Sequence, residues 1–143
     1  MYGSLDISVS GMTAQRTRLE VIAANIANAD AVVDASGQPN PFRRRIAHLA
    51  SGDPTASTRD ARAGGVHVAE IELDPAPFRP VYDPTSPLAR PAGDPQAGYV
   101  LYPNIDPMIE QVNALEAARA YEANIAAAEA TKTMLGQALR ILG

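Results

Sequence analysis

Apolar positions recur every three or four residues at both ends of the chain, and that period is lost in the middle. The clearest stretch runs from Pro107 to Leu142, where these steps place one narrow apolar stripe along a helix. Asp106 can cap the start of this helix, and Pro107 suits the first helical position, where no N–H donor is needed. At a rise of about 1.5 Å per residue the helix is roughly 54 Å long, so it needs a partner along its length. The stripe consists of Met108, Val112, Leu115, Ala118, Tyr121, Ile125, Ala128, Leu135, Leu139 and Leu142.

A second apolar stripe lies near the N-terminus and repeats every seven residues. We predict a helix from Leu5 to Asn28, with Ser4 as its cap and Asp6 in its first turn. Because a spacing of seven is typical of coiled coils, we predict that the two terminal helices pair as an α-helical coiled coil. The N-terminal helix is the shorter one and can cover only part of its partner. The repeat consists of Leu5, Met12, Leu19 and Ile26, with Val9 and Ile22 on the same face.

Proline divides the chain into three parts. All 12 prolines lie between Pro39 and Pro107, which confines long helices to the two ends. We therefore predict a mainly α protein with a small β insert. An N-terminal helix occupies residues 1–29, an irregular β-containing segment occupies residues 30–104, and a C-terminal helix occupies residues 105–143.

Short alternating stretches in the middle segment predict strands. The sequence from Gly65 to Asp74 is the strongest candidate, and a bulge near Ala69 would bring its apolar residues to one side. Residues 51–65 are polar and contain several glycines, which predicts an exposed loop. The other predicted strands are residues 44–51, 78–82 and 99–102.

The composition gives no sign of a catalytic, metal-binding or cofactor-binding site. The chain has no cysteine, which excludes disulfides and thiol catalysis, and a net charge of −4 gives no reason to expect nucleic acid or an anionic membrane as a partner. Charged residues interrupt the longest apolar regions, so we expect no direct membrane insertion. No second histidine and no cysteine stands at i+3 or i+4 of His48 or His67, which favours a structural or surface role over a zinc site. We therefore predict no catalytic residue, no metal and no cofactor. The first residues show no basic leader before an apolar core, so we expect no cleaved signal peptide.

One run of charge stands out, at Arg43, Arg44 and Arg45. A nucleic-acid site would need more basic residues and aromatic stacking positions, which the sequence lacks. We interpret the run as a salt-bridging surface for an acidic neighbouring subunit, and a solvated turn is nearly as favoured.

Two asparagines, Asn25 and Asn28, lie in the sequence ANIANAD at the end of the first helix. Helix capping would explain one of them but not both. This motif is followed by PNPFRRR, GVHVAEIELDPAPFRPVYDP and RAYEANI. Together these segments resemble bacterial flagellar axial proteins of the rod and hook class, and the resemblance covers most of the chain.

The resemblance implies a structural subunit of the proximal rod in the flagellar basal body, and not an enzyme. It implies passage through the flagellar type III export channel without a cleaved signal, followed by folding at the growing tip. The subunits then stack helically into a periplasmic rod that transmits torque from the motor to the hook. The implied partners are copies of the same chain in a helical tube, other proximal and distal rod subunits, and the adaptor protein between the rod and the ring or export gate.

The residues expected at subunit contacts come from the two stripes, the asparagine motif and the arginine run. They are Leu5, Met12, Leu19, Asn25, Ile26, Asn28, Arg43, Arg44, Arg45, Val112, Leu115, Tyr121, Asn124, Ile125, Leu135 and Leu139. The residues alone leave a soluble helical adaptor or secretion chaperone with a β insert as the main alternative, folding as a compact dimer. A small hydrolase is a third class, but the sequence offers no nucleophile–base pair for it.

Overall fold

Two long helices frame two small antiparallel sheets in the computed structural model, which describes residues 2–56 and 59–142. The elements are α1 Tyr2–Ala27, β1 Arg45–Ser51, α2 Arg59–Gly64, β2 Val66–Leu73, β3 Arg79–Tyr82, β4 Tyr99–Tyr102 and α3 Pro107–Leu142. The predicted mainly α architecture with a small β insert is therefore confirmed.

Helix α3 begins where the sequence places it. The Asp106 carboxylate accepts a hydrogen bond from the Met108 N–H at 2.9 Å, and Pro107 is the first helical residue. The helix then runs unbroken for 36 residues. It passes through Gly136 without interruption, and a Cβ at that position would meet no atom within 4 Å. Gly136 is therefore not a small residue at a crowded contact within this chain.

Helices α1 and α3 pack against each other in antiparallel directions. Arg18 Nη2 lies 3.1 Å from Glu116 Oε2, while Gly11, nearer the start of α1, lies against Asn124, further along α3. The Asn124 side chain of α3 packs directly on α1 at Gly11, because a Cβ there would stand 2.7 Å from Oδ1 of Asn124. Glycine is a weak helix former, but the missing Cβ at Gly11 leaves the room that the Asn124 side chain occupies.

The hairpin of β1 and β2 also packs against α1. These strands pair antiparallel from Arg45 opposite Leu73 to Ser51 opposite Val66. His48 pairs with Glu70 and the next residue with Val68, which leaves Ala69 as the extra residue of a bulge, as predicted. Ser10 Oγ on α1 accepts a hydrogen bond from the Val66 N–H at 3.1 Å. The apolar core lies mainly around α1 and includes Ala14, Val21 and Ile22.

The second sheet pairs β3 with β4 and stands apart from the helix pair. Tyr82 and Tyr99 contact each other edge to face at 5.1 Å. Gly98, which precedes β4, has a φ of 80° and lies under the Tyr82 ring, where a Cβ would be 2.9 Å from the ring edge. Both constraints require glycine at this turn.

Two local predictions were wrong. Helix α1 begins at Tyr2, so Ser4 lies inside its first turns and is not its cap. Residues 51–65 are not loop throughout, because α2 forms at Arg59–Gly64; residues 57–58 of this stretch lie outside the described part. Helix α2 packs against α1, and Gly64 lies against Ile7. Tertiary contacts of this kind stabilise turns that local propensity does not predict.

Candidate assembly surface

Four polar side chains from four segments meet inside the molecule at a point that we call the buried junction: Asn25, Arg44, Asp74 and Glu110. Asn25 and Glu110 are each only 1% exposed. Arg44 donates to Glu110 Oε1 from Nε at 3.0 Å and from Nη2 at 2.6 Å. Arg44 Nη1 lies 3.4 Å from Asp74 Oδ2. The junction therefore ties α1 and α3 to the open end of the hairpin, where β1 begins and β2 ends.

Asn25 makes this connection through its amide. Its Nδ2 donates to the Arg45 carbonyl at 2.8 Å and to Glu110 Oε2 at 3.0 Å, and its Oδ1 accepts from the Arg45 N–H at 2.9 Å. The amide thus pairs with both backbone groups of the first residue of β1. A carboxylate or a hydroxyl could not supply the two donors and the acceptor in this plane.

The electrostatics of the junction depend on Arg44. Burial by itself would lower the pKa of Arg44, but the hydrogen bonds and charges of Glu110 and Asp74 outweigh it, so the pKa is raised. Arg44 therefore holds its charge against the buried Glu110 carboxylate. This matters because an unpaired buried carboxylate is costly, whereas one with hydrogen-bonded partners is tolerated.

The other two arginines of the run also use partners of the same chain. Arg43 Nη1 donates to the Asp74 carbonyl at 2.9 Å, and its guanidinium lies 4.4 Å from the centre of the Phe78 ring. Arg45 lies 5.4 Å from the centre of the Phe42 ring. Arg44 and Arg43 therefore offer few free donors to a neighbour, and Arg45 remains the exposed member of the run.

The predicted contact residues on the two helices separate into two groups. One group is half-buried, and Asn28 in this group donates from Nδ2 to the Ala24 carbonyl at 2.8 Å and closes α1. The other group stands on the exposed face of α3. The half-buried group is Leu5, Met12, Leu19, Ile26, Asn28, Tyr121, Asn124, Ile125 and Leu135, and the exposed group is Val112, Leu115 and Leu139.

Large apolar side chains cover the outer face of the first turns of α3. Met108 is 68% exposed, and Ile109, Val112 and Leu115 are each more than half exposed. The face that meets α1 here carries Glu110 and smaller residues such as Ala117 instead. We call Met108, Ile109, Val112 and Leu115 the head patch. A cluster of this kind is typical of a protein–protein contact.

The other end of α3 extends beyond α1. Gly11 lies opposite Asn124, so the nine residues from Gly11 back to Tyr2 reach only to Thr133. Residues Met134–Leu142, which we call the overhang, therefore have no α1 beside them. Leu139 is 70% and Ile141 is 84% exposed in this segment.

Catalytic geometry is not found in the described part of the chain. His48 Nε2 lies 2.9 Å from Glu72 on an exposed strand face, and His67 Nδ1 donates to the Gly52 carbonyl at 2.6 Å. Among the described residues no three His, Cys, Asp or Glu side chains are grouped as a metal site. No helix in residues 2–56 or 59–142 is long and apolar enough to cross a membrane.

Comparison with known proteins identifies the assembly to which these helices belong. A family model described as "Flagella basal body rod protein" matches residues 5–34, and one described as "Flagellar basal body rod FlgEFG protein C-terminal" matches residues 96–141. The flagellar basal-body rod protein FlgC of Bacillus subtilis is 39% identical, with 98% of this chain and 97% of that protein covered. The chain belongs to the FlgC family of flagellar basal-body rod proteins. FlgC of Yersinia enterocolitica is 40% identical over 95% of this chain and 93% of its own length, and FlgC of Borreliella burgdorferi is 37% identical over 99% and 97%.

Within a FlgC-family protein, the two matched segments are the ones that the buried junction joins. Asn25 lies in the first and Glu110 in the second, while Arg44 and Asp74 come from the segment between them. The sequence predicted Asn25 and Arg44 as important but assigned them to a subunit surface. It gave no signal for Asp74 or Glu110. An acidic side chain such as Glu110, between apolar helix positions, is expected to be solvent-exposed unless its buried partners are known.

Proposed function

We propose that this structural rod protein is polymerised helically in the proximal rod and transmits torque from the motor to the hook. Subunits reach the growing tip through the flagellar type III export channel, without a cleaved signal, and the rod lies in the periplasm. The proposed partners are other copies of this chain, the neighbouring proximal and distal rod subunits, and the adaptor between the rod and the ring or export gate. No cofactor and no enzymatic activity are part of this proposal.

The observation that carries the proposal is the mismatch between the two helices. Helix α3 has 36 residues and α1 has 26, so α1 leaves the overhang and the whole outer face of α3 uncovered. Large apolar side chains stand on both of these surfaces. In a helical tube the terminal helices of neighbouring copies would cover them, and the α1–α3 pair would then continue as coiled-coil contacts between subunits.

The residues of the proposed contacts follow from exposure. The exposed residues available to a neighbour are Val112, Leu115 and Leu139 on α3 and Arg45, the first residue of β1. Asn25 and Arg44 act behind this surface, since the buried junction fixes the direction of α3 relative to the hairpin. The compact adaptor or chaperone receives no support here, because the FlgC relatives cover nearly the whole chain.

A deletion strain tests the proposal directly. Removal of the coding sequence is expected to abolish swimming and flagella, and expression of the intact chain is expected to restore both. Basal bodies purified from the complemented strain should contain the protein in the rod fraction and remain attached to the hook. A deletion strain that assembles normal hooks, or basal bodies without this chain, would contradict the proposal.

A further inference from the structure

Two backbone hydrogen bonds show which groups of β1 face its partner strand β2. Just before β1, the Asp74 N–H donates to the Arg44 carbonyl at 2.8 Å. Just after it, the Gly52 N–H donates to the Gly65 carbonyl at 2.6 Å. Because facing alternates along an antiparallel strand, the even-numbered residues of β1 bond toward β2. The odd-numbered residues direct their N–H and C=O groups to the opposite edge, which we call the outer edge.

The outer edge is occupied at its first position and open beyond it. The Asn25 amide pairs with the N–H and C=O of Arg45, as the main chain of a neighbouring strand would. The next outward residues are Ala47 and Leu49. Their N–H and C=O groups have no hydrogen-bond partner within residues 2–56 and 59–142. Unpaired groups of this kind on a strand edge are a template for pairing with another chain.

A groove of about 380 Å³ lies along this open part of the edge. Helix α1 packs against both β1 and α3, and the groove is bounded by Val21 and Ile22 of α1, Asn113 of α3, and Ala47 and Leu49 of β1. Its volume is in the range of small-ligand pockets, so it has room for one extended segment and not for a hairpin. The complement of N–H and C=O groups at strand spacing is the main chain of such a segment.

The charge of the groove indicates which segment fits. Three arginines line it, and two of them are matched within the chain. Arg18 lies 3.1 Å from Glu116, and Arg44 lies 2.6 Å from Glu110. Arg45 has no carboxylate within ion-pair distance in the described part of the chain. The groove therefore has one surplus positive charge at the end where the outer edge begins.

We propose that a short extended segment of a different basal-body protein, carrying an acidic side chain, adds to the outer edge of β1 in this groove. The inference rests on the proposed function and names one contact of the subunit. The segment exchanges main-chain hydrogen bonds with Ala47 and Leu49, and its carboxylate faces Arg45. A second copy is not the expected occupant, because the strands of this chain are already paired in two hairpins.

Amide hydrogen exchange of the full chain, followed by NMR, tests the edge. The probe is the peptide acetyl-TVEVEVT-amide at high concentration, because so short a contact binds a free peptide weakly. Exchange at Ala47 and Leu49 is expected to slow several-fold, whereas Ile46 and His48 bond toward β2 already and should keep their rates. Two control peptides should give no protection: the same sequence N-methylated on its valines and glutamates, and acetyl-TVKVKVT-amide.

Variants of the chain test the same contact from the other side. Ala47→Pro removes an outward donor without removing a bond to β2, so it should abolish the protection at Leu49. Ala47→Ser keeps the N–H and should retain that protection. Arg45→Glu is expected to weaken peptide binding several-fold, whereas Arg45→Lys keeps it. Circular dichroism checks the fold of each variant, and the N-methylated peptide gives the same test on the parent chain if Ala47→Pro unfolds.

Cross-linking in basal bodies identifies the occupant. A photo-reactive residue at position 49, in the complemented deletion strain, is expected to link to an extended, acidic stretch of a different protein. The same residue at position 81, on the exposed strand β3, is the control. Three results would overturn the inference: no protection in the parent chain, equal protection by the N-methylated peptide, or a link from position 49 to a second copy. If the chain restores swimming but position 49 forms no link, the rod function stands and the groove contact is wrong.

Discussion

The replacement of Asn25 by aspartate is the sharpest test of the buried junction. The two side chains have nearly the same shape, so packing is preserved and only the hydrogen-bonding character changes. Asn25 Nδ2 donates to the Arg45 carbonyl at 2.8 Å and to Glu110 Oε2 at 3.0 Å. After Asn25→Asp both contacts become acceptor against acceptor, and the second places two carboxylates together where the parent residues are 1% exposed.

The expected cost follows from those contacts. A buried acceptor that loses its donor costs about 1–3 kcal/mol. Two acceptors lose their donor here, the Arg45 carbonyl and Glu110 Oε2. Arg44 already pairs with Glu110, so the added carboxylate lacks a cation of its own, and breaking a buried charge network costs about 3–5 kcal/mol. We expect a loss of at least about 3 kcal/mol at pH 7. With an unfolding entropy of about 2.1 cal/mol/K per residue, over 143 residues, this lowers the melting temperature by roughly 10 °C.

Urea denaturation of the purified chain, followed by circular dichroism at 222 nm, measures this cost. Asn28→Asp is the matched control, because Asn28 belongs to the same motif but donates only to the Ala24 carbonyl, at 2.8 Å. Its expected cost is about 1 kcal/mol, from one hydrogen bond and a negative charge at a helix C-terminus. If the two variants lose equal stability, or if Asn25→Asp unfolds at the same urea concentration as the parent, the junction does not hold the fold as argued.

Two further predictions concern glycines and an acidic turn. Gly136→Ala is expected to stabilise α3 by up to about 1 kcal/mol, because the site is open, whereas Gly11→Ala should destabilise the chain because its Cβ would stand 2.7 Å from Asn124 Oδ1. Thermal unfolding of both variants, with Gly11→Ala/Asn124→Ala as the rescue, checks the sign. Hydrogen bonds from Thr85 lower the pKa of Asp83, the larger effect coming from its side chain and the smaller from its backbone N–H. The Asp83 carboxylate therefore stabilises the turn above the ordinary aspartate pKa, and this stabilisation is lost as pH falls through the lowered pKa. In Thr85→Ala, NMR titration should show a higher pKa for Asp83 than in the parent chain.

The course of the chain was largely predictable from sequence because prolines and periodicity act locally. Confinement of proline to the middle fixed where long helices can occur, and Asp106 with Pro107 marked the start of α3 to the residue. The bulge at Ala69 was predictable because alternation changes parity there, and only an extra residue restores a common face. The six-residue helix α2 was not predictable, since its stability comes from α1 and not from its own pattern.

The face of α3 was harder to predict, and the reason is physical. Hydrophobicity alone places Val112 and Leu115 toward the partner helix, yet α3 turns Glu110 and Ala117 inward. The burial of Glu110 is tolerated only because Arg44 and Asn25 donate hydrogen bonds to its carboxylate. Neither partner can be assigned to Glu110 from one sequence. The coiled-coil repeat at Leu5, Met12, Leu19 and Ile26 likewise gave residues that are half-buried, while positions such as Gly11 and Asn25 contact α3 directly.

This arrangement divides two tasks between polar and apolar groups. Small and polar residues join α1 to α3, so the helix pair gains direction and register more than it gains buried apolar area. The large apolar side chains of α3 are left outside, at the head patch and the overhang, where a second copy can bury them. It follows that the two kinds of substitution should separate in one experiment. Asn25→Asp should lower the stability of the monomer and assembly together, whereas Leu139→Asp should leave urea unfolding of the monomer unchanged and abolish rod assembly alone. Equal effects of both variants on the monomer would show that the overhang is already covered within the chain.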